Sequence, residues 1–110
     1  MKVHLIRKET IEAYTKDNAQ SRLSFAEWRT KLKYANWEMP ADMQRTFPGT
    51  DLLGKGSNRA VFDIGGNKYR MIGKYAFGDV QAHLFICWIG THAEYNKLCS
   101  AGEQYTISSY

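Results

Sequence analysis

Residues 59–77 read Arg59-Ala60-Val61-Phe62-Asp63-Ile64-Gly65-Gly66-Asn67-Lys68-Tyr69-Arg70-Met71-Ile72-Gly73-Lys74-Tyr75-Ala76-Phe77. The stretch has a period of two, which is the signature of strands with one face inward. Residues 59–64 form the first strand. Gly65-Gly66-Asn67 supplies the positive φ angles that a tight hairpin turn requires. Residues 68–77 form the second strand, Gly78-Asp79 reads as a two-residue turn, and residues 80–89 form the third. Gly90 ends that strand. Thr91 then caps a short helix over residues 91–99, with Glu94 at the spacing of a capping box.

Directly opposed residues of an antiparallel pair share a face. With Gly78-Asp79 as the turn, Phe77 pairs with Val80, Tyr75 with Ala82, Gly73 with Leu84, Met71 with Ile86 and Tyr69 with Trp88. That face, with Ala60, Phe62 and Ile64, is apolar and must meet helices. The other face pairs Lys74 with His83, Ile72 with Phe85, Arg70 with Cys87 and Lys68 with Ile89, and adds Arg59, Val61 and Asp63. Its mixture of cations and apolar side chains fits a surface that grips phosphate and stacks bases. The plainer alternative is an ordinary sheet exterior in which Asp63 pairs with Lys68 or Arg70. The hairpin register decides which.

Working outward toward the N-terminus, residues 49–58 read as a polar, glycine-rich loop. Lys55 lies in it, but the spacing is not that of a P-loop. Pro40 opens a short helical turn and Pro48-Gly49 closes it. A longer helix spans residues 18–36, or starts at Ser24, where Ser24 and Glu27 have capping-box spacing. Phe25, Trp28, Leu32 and Ala35 share one side of it. Arg22, Arg29, Lys31 and Lys33 occupy the other, which reads first as a solvated face and second as an RNA contact. Residues 7–16 are weakly helical, with Ile11 and Tyr14 inward, and residues 3–6 suit a first strand. Beyond the last helix, Tyr105-Thr106-Ile107 reads as a short edge strand.

The 110 residues suit one domain, 1–110, with one core. At 44% hydrophobic and 14% aromatic, the chain can pack an interior. Net charge is +4 and the sequence pI about 9.1, which points to a polyanionic partner, nucleic acid or an acidic protein. Cys87 and Cys99 read as reduced thiols, because two cysteines make no disulfide framework. No apolar run suits a signal peptide or a membrane span, so the expectation is a soluble, cytoplasmic protein without membrane contact.

RNA cleavage by its own 2′-hydroxyl needs a base, a cation at the phosphate and an acid for the leaving oxygen. Arg70 and Lys68 on the sheet, with His92, Glu94 and Tyr95 on the next helix, supply such groups, and His92 and Tyr95 share a helical side. Taken singly, His92 also reads as a surface histidine and Tyr95 as a packing residue. His83 and Cys87 share a strand face, but no metal-binding spacing occurs, and Cys87 reads as structural. Neither metal nor cofactor is expected.

The run 61–72, Val-Phe-Asp-Ile-Gly-Gly-Asn-Lys-Tyr-Arg-Met-Ile, resembles a signature of HigB-type toxins of the RelE superfamily. Residues 89–97, Ile-Gly-Thr-His-Ala-Glu-Tyr-Asn-Lys, are similar to their second signature. Gln104-Tyr105-Thr106-Ile107 resembles their tail, and Trp28 and Trp37 fall where that family has tryptophans. The resemblance implies a RelE-like α+β fold, with N-terminal helices packed on an antiparallel sheet and a short C-terminal helix. It implies a type II toxin that cleaves mRNA, usually on the translating ribosome, and a HigA-type helix-turn-helix antitoxin. By position, Arg70 is similar to the arginine that stabilises the scissile phosphate, and His92 and Tyr95 to the C-terminal acid–base or stacking pair. Lys68 and Arg59 correspond to phosphate contacts, and with Lys74 and His83 they complete the expected RNA-binding set. Asn96 departs from the usual aspartate of that family, so no carboxylate is available there. The competing readings are a non-catalytic RNA- or ribosome-binding module and a regulatory protein-interaction domain.

Overall fold

The structure is a computed structural model and describes residues 1–110. Along the chain run β1 (Lys2–Ile6), α1 (Lys8–Asp17), a 3₁₀ turn (Ala19–Ser21), α2 (Arg22–Lys33) and α3 (Ala41–Thr46). There follow β2 (Asp51–Leu53), β3 (Arg59–Ile64), β4 (Tyr69–Phe77), β5 (Gln81–Thr91), α4 (His92–Ser100) and a second 3₁₀ turn (Glu103–Tyr105). The five strands form one sheet in the order β1-β5-β4-β3-β2. Only β1 runs parallel to its neighbour. The sheet is thus mostly antiparallel, as the α+β reading expects; β1 alone can run parallel because α1 and α2 carry the chain away before it returns, whereas the later strands are joined by shorter connections.

Local chemistry accounts for most elements. Gly65 and Gly66 both take φ of 67°, and the hairpin closes with Ile64 opposite Tyr69. Lys68 therefore sits in the turn, one residue before β4 begins. α2 starts earlier than Ser24, carried by the 3₁₀ turn in which the buried Ser21 hydroxyl donates to the Asn18 carbonyl. Its predicted inward side, Phe25, Trp28, Leu32 and Ala35, is buried. Residues 51–53, read as loop, are a strand instead; three residues are too few to show alternation. The tail forms no edge strand, because Glu103–Tyr105 coils into a 3₁₀ turn.

The β4–β5 register corrects the expected pairing twice. Residues 78–80 form the turn and Gln81 opens β5 without a partner on β4, so Phe77 faces Ala82 rather than Val80. A shift of two residues leaves every side chain on its expected face. Further along, Ile72 pairs with Trp88 and Gly73 with Ile86, so β5 carries one extra residue. This bulge reverses the alternation beyond it. Ile89 turns to the helix side opposite Met71, and Trp88 turns away from it.

The helix-side core is a cluster of 17 buried residues. Trp28 stacks on Phe47 at 5.2 Å, and both meet Phe62 edge-on. On the opposite face a smaller cluster, Val61, Ile72, Cys87 and Leu98, is covered by α4 and the tail. Ile72 is thus packing material for α4, not a stacking platform. No helix is long and apolar enough to cross a membrane.

Candidate functional site

The expected site residues all derive from the face opposite α1 and α2, but the tail divides them. At one end α4 starts on a complete capping box: the Thr91 hydroxyl accepts from the Glu94 N–H at 3.2 Å, and Glu94 Oε1 accepts from the Thr91 N–H at 2.7 Å. The His92 N–H donates to the Lys68 carbonyl at 3.1 Å, which ties the β3–β4 turn to the helix start. Lys68, Arg70, His92 and Tyr95 are gathered at this end by that tie and by the Arg70–Gly90 pairing.

The register resolves the partner of Asp63. Arg70 lies opposite it, with Nε 3.1 Å from Asp63 Oδ1. Arg70 also donates to the Tyr69 carbonyl and to Asn67 Oδ1, each at 3.3 Å. Its side chain is only 12% exposed. A guanidinium has five N–H groups, so these contacts orient it and leave others for a ligand. Burial pushes the Tyr95 phenol well above the usual tyrosine range, helped by the adjoining Cys99 thiol and the charge of Asp51, while Arg70 opposes the shift. Tyr95 is therefore a neutral phenol that can donate a hydrogen bond. Nδ1 of His92 is buried and has no hydrogen-bond partner among the protein groups.

Sequence reasoning placed Trp88 in the helix-side core. The bulge brings it beside Tyr95, with ring centroids 6.1 Å apart. Gly90 makes room for it, since a Cβ there would stand 2.4 Å from the Trp88 ring. Asn67, read only as a turn residue, holds Arg70. Misplaced Ile89 was the one available hint of the bulge, an isoleucine assigned to a cationic surface.

The remaining residues lie beyond the tail. Arg59 is 6% exposed and its Nη1 donates to the carbonyls of Ile107 at 2.6 Å and Gln104 at 3.3 Å. Nη1 of Arg59 thus straps the tail down, while the residue also lines the cavity beside Lys74 and Phe85. Lys74 is exposed opposite Phe85, which is 38% exposed. His83 lies farther along β5, edge-on to His4 at 5.5 Å, and its Nδ1 too has no partner. A cavity of about 420 Å³ opens here, lined among others by Arg7, Arg59, Lys74, Phe85, Ser108 and Tyr110. No carboxylate side chain lines it, and none of its three cations is in a salt bridge. Arg7 was not anticipated; it adopts φ of 69°, a costly conformation for a side-chain-bearing residue, at the start of α1. Nowhere do three His, Cys, Asp or Glu side chains converge as metal ligands.

The family of HigB toxins, described as the RelE-like toxic component of a toxin-antitoxin system, matches residues 21–98. The chain belongs to this family. An mRNA interferase HigB from Escherichia coli O6:H1 (strain CFT073) is 29% identical over 96 residues, which cover 87% of this chain and 91% of that protein. The α+β architecture agrees with the RelE-like fold that membership implies, and so does the short C-terminal helix. Membership also implies an antitoxin partner. The family match takes in Arg59, Lys68, Arg70, Lys74, His83, His92 and Tyr95, whereas Arg7 and the tail lie outside it.

Proposed function

We propose that this toxin is a metal-independent endoribonuclease that cleaves mRNA on the translating ribosome, in the cytoplasm, under control of a HigA-type helix-turn-helix antitoxin. The observation that carries the reading is the juxtaposition of an oriented arginine, an imidazole and a protonated phenol at one end of a face whose other half is a cationic cavity without carboxylate side chains. The relative's name, mRNA interferase, supports the same substrate.

In this reading the message lies across the face, its phosphates met by Lys74, Arg7 and Lys68 and one base by Phe85. The 2′-oxygen attacks phosphorus as its proton passes to a base, for which His92 is the candidate. Arg70 stabilises the added charge on the phosphorane-like transition state. The bond to the 5′-oxygen breaks as that oxygen takes a proton from water, leaving a 2′,3′-cyclic phosphate and a 5′-hydroxyl, and the hydroxide so formed takes back the proton held by His92. Tyr95 orients the phosphate or a base as a donor. Arg59 serves indirectly by holding the tail, and His83 borders the RNA path.

Purified toxin added to ribosomes translating a defined message should produce cut transcripts on 5′-end mapping. Arg70→Ala should lower cleavage about 10²-fold or more with an unchanged circular dichroism spectrum. A folded Arg70→Ala protein that cuts normally would remove Arg70 from the mechanism. The three contacts that already engage Arg70 favour one other reading, binding without cleavage; translation that stops while the message stays whole would establish it.

A further inference from the structure

The helix side of the molecule carries a second cationic feature, which meets the candidate RNA face only where Lys8 follows Arg7. Between β1 and α2 lies a groove of about 340 Å³, with Val3, Leu5 and Leu32 as its aliphatic floor and Lys8, Arg29 and Lys33 as its rim. It adjoins a second hollow of about 470 Å³ that includes Lys2, Lys33 and the exposed Tyr34. No acidic residue lines either one. None of Lys2, Lys8, Arg29 and Lys33 is in a salt bridge.

The groove runs along an open sheet edge. β1 is the terminal strand and pairs only with β5. On its outer side a single bridge joins Lys2 to Asn36, and the Trp37 N–H donates to the Met1 carbonyl. From Val3 to Ile6 that edge has no strand partner. An uncovered edge beside apolar surface is a template for another chain, and proteins ordinarily blunt or cover it.

We propose that this groove is the docking site of the antitoxin, through an extended acidic segment that adds to the sheet beside β1. Its backbone would pair with the open edge, alternate aliphatic side chains would rest on Val3, Leu5 and Leu32, and its carboxylates would meet Lys8, Arg29 and Lys33. The inference rests on the antitoxin partner implied by family membership, not on the cleavage mechanism. RNA fits less well, because it has no peptide backbone with which to pair along the open edge of β1. An antitoxin seated here would leave the Arg70 end of the opposite face uncovered.

The test uses the full-length toxin and its purified cognate antitoxin, with affinity, hydrogen exchange and message cleavage measured separately. Two variants probe the groove from outside the core: the triple charge reversal Lys8→Glu/Arg29→Glu/Lys33→Glu, and Thr30→Trp, which fills the groove from an exposed lining position. The charge reversal should weaken antitoxin binding about 10- to 100-fold, and Thr30→Trp should weaken it with the charges intact. Thr30→Trp should also cut messages at the native rate. Antitoxin should protect amides of residues 3–6. Native affinity in both variants would overturn the proposal. So would protection confined to residues 68–95. Loss of cleavage in the charge reversal, with antitoxin affinity kept, would mean that the groove holds RNA instead. Absence of cleavage by the unmodified toxin would refute the nuclease reading and leave these binding results intact.

Discussion

The two faces of the sheet use alternate residues of the same strands, yet they are built differently. The helix side buries 17 residues in one cluster, including the aromatic group of Trp28, Phe47 and Phe62. The other side buries four, under one short helix and a strap. The deep core is assembled from elements distant in sequence and holds the fold. The shallow one mainly seats α4 and the tail, and the candidate site lies at its margins. Sites that must admit a ligand tend to sit where local stability is low.

The largest expected effect breaks the deep face. Phe62→Ala, in the centre of the aromatic group, should cost about 3–5 kcal/mol in chemical denaturation and unfold all probes together. Leu98→Ala on the shallow face should cost less, about 2–3 kcal/mol. Its informative readout is local: amide exchange in α4 should quicken and message cleavage should fall, while the helix-side core stays protected. If Leu98→Ala loosens both faces equally, the distinction between them fails.

Arg59→Met asks whether the strap is held as the hydrogen bonds imply. Losing the charged donor to Ile107 and Gln104 should cost about 1.5–3 kcal/mol and speed exchange at Ser109, whose N–H donates to the Cys87 carbonyl. Thr91→Ala removes one half of the capping box and should cost about 1 kcal/mol, again with its effect centred on α4.

Titration should show an acid limb set on the helix side and an alkaline limb shared by both sides, since burial also raises Tyr14 against the helix-side core. On the helix side, N–H groups of Glu38 and Met39, assisted by Arg45, hold the Asp42 carboxyl below its ordinary value of 3.8, against the opposing effect of burial. That contribution is complete above the ordinary value and is lost as the pH falls through the lowered one. Asp42→Asn should therefore flatten the acid limb of the stability curve. On the strap side, burial raises Tyr95 and Tyr110. Their contribution is whole below the ordinary tyrosine value of 10.0 and is lost as the pH rises beyond it. Tyr95→Phe should flatten the alkaline limb and leave the acid limb unchanged.

The sequence by itself determined the hairpin, its glycine turn, the inward side of α2 and the capping box of α4. Each depends on neighbours a few residues apart, where spacing and backbone preference suffice. It also placed the seven candidate site residues, six of them on or around the face opposite α1 and α2 and the seventh, Arg59, beneath the strap. Tertiary structure decided the rest. The bulge that exchanged Trp88 for Ile89 came from strand pairing, and only the misfit of Ile89 on a cationic face hinted at it. The choice of Arg70 over Lys68 for Asp63 needed the hairpin register. The burial of Ile72 and Arg59 needed the return of α4 and the tail across the sheet, contacts between residues as far apart as Arg59 and Ile107. The cationic face with which the sequence began is thus two half-sites with a small core between them, because the same chain that supplies the face also folds back to cover its middle.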